Sequence, residues 1–179
     1  MKTTVLICVA SAVFLSGCGE QMSSAPTEKT AAEKAMAANP ADGPDNAFIM
    51  KAANSGMFEI ESSKIAVDRA KDSEVKKFAQ QMVTDHTKAS AELKAAAGDK
   101  TPAKPDAATA ARIEKIKTSP DDGFDALYVD EQKAAHDEAV GLFTTASENA
   151  ADAKIKDFAA KTLPVLKAHQ DHVKQLNMK

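Results

Sequence analysis

Aromatic side chains are scarce, at 4% of 179 residues with no tryptophan and one tyrosine. Sheets are rich in aromatic and β-branched residues, so this shortage argues against a β core. Only two cysteines occur, Cys8 and Cys18. Both lie near the start, so the body of the chain is expected to hold no disulfide, thiolate metal site or thiol nucleophile. A basic excess is also missing: net charge is −3 and the pI about 5.8. Nucleic acid is therefore not an expected partner. Glycine and proline number seven each, several of them in the first 45 positions. Alanine is abundant, at 36 residues, and it stands among many lysines and glutamates. That composition favours helices. The length suits one domain with a sizeable core.

Residues 1–17 read as a cleaved signal peptide. Lys2 supplies a positive charge, and Val5 to Leu15 form an apolar run of 11 residues. A helix needs about 20 residues to span a bilayer, so this run has signal-peptide length instead. Leu15-Ser16-Gly17-Cys18 resembles the lipobox of bacterial lipoproteins. The resemblance implies cleavage before Cys18, lipidation of its sulfur and acylation of the new amine, hence a membrane partner through the N-terminal lipid. Several acyl chains would make a firm anchor, since each buried CH₂ contributes about 0.8 kcal/mol. Gly19 follows, where an aspartate would imply inner-membrane retention, so the expected address is the periplasmic face of the outer membrane.

Residues 18–45 have the Ala, Ser, Pro, Gly and charge of a tether. From 46 to 179 apolar residues recur at three- and four-residue steps, which predicts an all-α domain. Four long helices are expected, near 46–71, 74–97, 120–148 and 152–177. Asp45 or Asn46 is the expected first N-cap, Asp72-Ser73 the second, and Ser119-Pro120 the start of the third long helix. Gly98 suits a helix end. Pro164 falls inside the last helix and predicts a kink. A short helix is expected from Ala107 to Lys117, inside a 98–120 connection whose path stays open. Two long hairpins make a four-helix bundle the natural architecture.

All four histidines, His86, His136, His169 and His172, fall on apolar stripes. A stripe covers about a third of a helix, so chance would place four there about once in a hundred. Glu59 has small stripe neighbours, Ala52, Gly56, Ser63 and Ala66. Counted from the turns at 1.5 Å per residue, Glu59, His86, His136 and His169 all sit about 20–27 Å away, near mid-bundle. One acidic residue and imidazoles from three other helices would suit zinc, copper, nickel or iron. His169 and His172, three residues apart, could chelate from one helix. Asp85, Glu131 and Glu138 flank the inner faces as acceptors for imidazole N–H groups. The alternative is a metal-free polar belt, with the histidines bonded to Glu59, Tyr128, Gln132 or each other.

Phe58 to Ala66, then Val75 to His86, resemble the first hairpin of the bacterial envelope proteins grouped as domain-of-unknown-function family 4142. Phe124-Asp125, Tyr128-Val129 and His136 resemble its third helix, and Leu163-Pro164-Val165-Leu166 before His169 its fourth. The resemblance covers about 46–176 and implies a ferritin-like bundle exported to the envelope, with no known activity. The di-iron pattern Glu-x-x-His is missing: Val83, Lys133 and Leu166 precede His86, His136 and His169 at that spacing. The expected role is non-enzymatic, in metal handling or envelope stress. A structural or interaction module is the alternative, and a ferritin-like oxidase ranks behind both.

Overall fold

The computed structural model describes residues 43–176. The expected signal peptide, Cys18 and nearly all of the expected tether lie outside the described residues. Four long helices and one short one follow: α1 (Pro44–Arg69), α2 (Ser73–Ala97), α3 (Ala107–Thr118), α4 (Phe124–Asn149) and α5 (Ala153–Gln175). A single 3₁₀ turn, Gly98–Lys100, follows α2. Among the described residues there is no strand and no helix long and apolar enough to cross a membrane.

The hairpin turns carry caps of one design. Asp72 accepts from the backbone N–H groups of Glu74 and Val75, and Asp152 from those of Lys154 and Ile155. Each cap satisfies donors that a helix start otherwise leaves unpaired. Asp45 is not the cap expected of it. Gly43 takes that place, with Pro44 opening the helix. Asp45 instead accepts from the N–H groups of Ala151 and Asp152, in the second turn. Asp125, at the start of α4, accepts in the same way from Lys71 and Asp72, in the first turn.

These two clasps fix the topology. The start of α1 meets the end of α4, and the start of α4 meets the end of α1, so the two run antiparallel. With α1 packed on α2 and α4, and α5 on α2 and α4, every neighbouring pair is antiparallel. The connection from α2 to α4 must then traverse the bundle lengthwise. One long crossover is also the connectivity of ferritin-like bundles.

Within the crossover, α3 lies against α1 and α4. Arg69 holds its end, donating to the carbonyls of Ile116, Lys117 and Ser119. The third long helix starts later than expected. Ser119 ends α3, its hydroxyl bonded to Ile116 O, and α4 opens only after Gly123 at φ 80°. That left-handed turn suits glycine, and Ser119-Pro120 belongs to the turn before it. Helix α5 runs on through Pro164 to Gln175.

The core is two apolar clusters with a polar belt between them. Phe78, Met82, Phe124 and Tyr128 belong to one cluster, and Phe48, Leu93, Phe143 and Phe158 to the other. Along each long helix the clusters are separated by buried polar residues: Glu59, Ser62 and Ser63 on α1, His86 on α2, Gln132 and His136 on α4, and His169 on α5.

Candidate metal centre

Apolar positions on either side of the belt pack the helices close and leave its polar side chains facing one another. Glu59 and His136 are fully buried, His169 is 1% exposed and His86 6%. The rings of His86, His136 and His169 form a nearly equilateral triangle, with centroids 5.6, 5.5 and 5.5 Å apart. One nitrogen from each ring lies within 4.8 Å of the other two. A tetrahedral ion with metal–nitrogen bonds of 2.0–2.1 Å holds its nitrogens about 3.4 Å apart.

Two of the rings are already oriented from behind. His136 Nδ1 is 2.9 Å from the carbonyl of Gln132, which can only accept, so Nδ1 carries the proton and Nε2 has a free lone pair. His169 Nε2 is 2.9 Å from Asp85 Oδ2, which likewise leaves Nδ1 as the free nitrogen. His136 Nε2, His169 Nδ1 and His86 Nε2 are buried and have no protein hydrogen-bond partner. Fixing one imidazole nitrogen with a carbonyl or carboxylate while the other stays free is how metal-binding histidines are held.

The electrostatics keep these lone pairs available. Burial pushes His86 well below its usual range, helped by the neighbouring rings of His136 and His169. Burial brings His136 down to about 4, against the hydrogen bond to Gln132. Burial lowers His169 too, opposed by Asp85. All three rings are neutral near pH 7. Glu59 goes the other way: burial pushes it up to about 8, with Gln132 and Arg112 pulling back. No hydrogen bond of ordinary length reaches either Glu59 oxygen or Gln132 Oε1.

The expected ligands divide. His86, His136 and His169 come together, while Glu59 stands against His136, its Oε1 3.7 Å from Nδ1, outside the mutually close set. His172 is not part of the centre. Its ring meets Phe78 edge-on at 5.2 Å, in the apolar cluster beyond the belt. Three residues advance a helix by 300°, so His172 is rotated from His169 as well as raised a turn. Asp85 is the outer acceptor expected of it. Glu131 and Glu138 are not: Arg112 pairs with both, and Lys115 also holds Glu131. Ser62, which accepts from Gln132 Nε2, is missing from the sequence reading. Its position three residues after Glu59 was the available signal.

A family model described as "Domain of unknown function (DUF4142)" matches residues 28–176. No curated protein matches the chain. Among solved structures, a DUF305 fragment from Deinococcus radiodurans is similar in fold, at 12% identity and a TM-score of 0.63. That likeness covers 76% of this chain and 96% of the other.

Proposed function

Because the chain belongs to the DUF4142 family, a family of unknown function, its role has to be read from its own site, and we propose that it binds one late first-row transition-metal ion through His86, His136 and His169. One observation carries this reading. Six buried polar atoms in the belt, from Glu59, Gln132 and the three histidines, have no protein partner. An unpaired buried polar group costs about 1–3 kcal/mol, and a self-contained hydrogen-bonded belt would pair these atoms with one another. A cation takes up three of them at once. Three neutral imidazoles leave the ion its full charge, and Glu59 and Asp85 are the carboxyls beside the rings that offset it. An ion there favours the ionised form of Glu59. Nitrogen ligands without thiolate suit zinc, copper, nickel or iron(II).

The test is to strip the full chain, reload it with each metal and measure content by elemental analysis and affinity by competition. One equivalent and a rise in Tm are expected for wild type. His86→Ala loses more than about 100-fold in affinity, above the usual effect of losing an outer partner. No stoichiometric uptake of any of the four metals would end the proposal. The proposed setting is the cell envelope, supported by the lipobox-like Leu15-Ser16-Gly17-Cys18. Cys18→Ser is expected to move the chain from the membrane to the soluble fraction, and persistence in the membrane fraction would contradict it.

A further inference from the structure

The two hairpins repeat one another at a fixed offset. Residues 80 apart match: Asp45 with Asp125, Ile49 with Val129, Ala66 with Ala146, Asp72 with Asp152, Val75 with Ile155 and Phe78 with Phe158. The folded chain obeys the same shift. Asp45 and Asp125 clasp opposite turns through the same two backbone donors. Ile49, Ala146, Ile155 and Phe158 share one apolar cluster, and their counterparts Val129, Ala66, Val75 and Phe78 share the other.

Applied to the metal centre, the shift pairs Glu59 with Ala139, His86 with Leu166, Gln132 with Ala52, His136 with Gly56, and His169 with Ala89. All five counterparts line one cavity of about 20 Å³, and His86 is part of its wall. The cavity therefore has an identifiable origin. At each of these positions one hairpin carries a large belt side chain and its counterpart in the other hairpin is alanine or glycine, or leucine opposite His86. A Cβ on Gly56 would lie 3.0 Å from Ser90 Oγ, so the backbone there is already approached closely.

We propose that this cavity is the open side of the metal centre, where a neutral ligand of one or two heavy atoms, water or a diatomic gas, binds the ion beside His86. This rests on the metal reading above. Three protein nitrogens leave one position of a four-coordinate ion for an outside ligand. A void of 10–15 Å³ holds one water, so the cavity admits one small molecule and little more. Its walls are mostly apolar, with the neutral Ser55, Ser90 and Thr162 and no charged side chain, so beyond the ion itself nothing in them favours an anion over a small neutral ligand.

The test uses the full chain loaded with Cu(I) under argon and exposed to carbon monoxide. Copper content is measured on the same samples, and bound gas is read from the infrared C–O stretch. Wild type is expected to bind one carbon monoxide per copper. Ala139→Val and Ala52→Val, which fill the cavity from two different helices, keep the copper and lose about tenfold or more in carbon monoxide affinity. Copper-loaded wild type without a C–O band overturns this proposal alone, as does unchanged affinity in both filled variants. A chain that takes up none of zinc, copper, nickel and iron overturns the metal reading and this one with it.

Discussion

Two mid-bundle positions related by the 80-residue shift are filled in opposite ways. One holds Glu59, His86, Gln132, His136 and His169; the other holds Ala139, Leu166, Ala52, Gly56 and Ala89 around a small cavity. The bundle ends related by the same shift are nearly interchangeable, with Val75 and Phe78 answered by Ile155 and Phe158. Among the described residues the buried polar atoms without a partner all come from the first position, while Thr162 at the second bonds to Phe158 O. The two positions therefore differ in unmet polar demand as well as in volume.

Making the two positions alike is the strongest test. Glu59→Ala, His86→Leu, His136→Gly and His169→Ala together copy the cavity position onto the histidine-bearing one. Bound metal is expected to fall from one equivalent to none, as measured by elemental analysis after desalting. One equivalent retained in the folded variant would place the ion outside the three histidines.

Much of this was legible in the sequence, and the failures have physical causes. The three clustered histidines were readable because helical periodicity fixes which face a residue takes, and distance from the turns fixes its height. Glu59 was correctly placed at the belt, but its carboxyl sits behind His136 instead of joining the three nitrogens. Side-chain reach decides that, and spacing does not encode it. The crossover path was undecided because local propensity says nothing about direction. It follows from Asp45 and Asp125 pairing with distant turns. Their 80-residue separation was visible in the sequence, though its meaning depends on contacts across the chain.

Within the occupied position, the groups behind the rings come next in size. Asp85 is 35% exposed and holds a ring that is 1% exposed. Asp85→Asn keeps the shape but removes the charge that favours a proton on His169 Nε2. Metal affinity is expected to fall about 10–100-fold, the usual effect of losing such a partner, with the metal-free Tm little changed. Competition titration measures the first and calorimetry the second. Unchanged affinity would mean that His169 needs no orienting partner.

Smaller again is the pH dependence of the metal-free chain. Burial holds His136 at about 4 and lowers His86 and His169 from their ordinary 6.5. As pH falls below 6.5 the unfolded chain takes up protons that these buried rings refuse, so stability drops toward acid. Burial holds Glu59 at about 8, up from 4.5. As pH rises from 4.5 to 8 the unfolded chain releases a proton that folded Glu59 keeps, so this group lowers stability toward alkali. Three imidazoles outweigh one carboxyl between 4.5 and 6.5, which puts the highest Tm near pH 6.5. Glu59→Gln is expected to remove the decline above 6.5 and to steepen the loss of stability between 6.5 and 4.5, where Glu59 opposes the imidazoles. The vacant position has no matching titratable group, since Glu59 is answered by Ala139. A wild-type Tm that stays level from pH 6.5 to 8 would show that Glu59 is already ionised in the folded chain.

The smallest effect is expected at His172, which separates the centre from the apolar cluster above it. Its ring contacts Phe78, not the triangle formed by the other three histidines. His172→Phe should leave metal affinity unchanged, because no ligand or orienting partner is removed. It should raise the metal-free Tm slightly, since a half-buried imidazole edge gives way to apolar surface against Phe78. A tenfold loss of metal affinity would instead bring His172 into the centre, with α5 supplying two ligands one turn apart. The occupied position would then extend toward the apolar end, and its one-to-one match with the vacant one would fail.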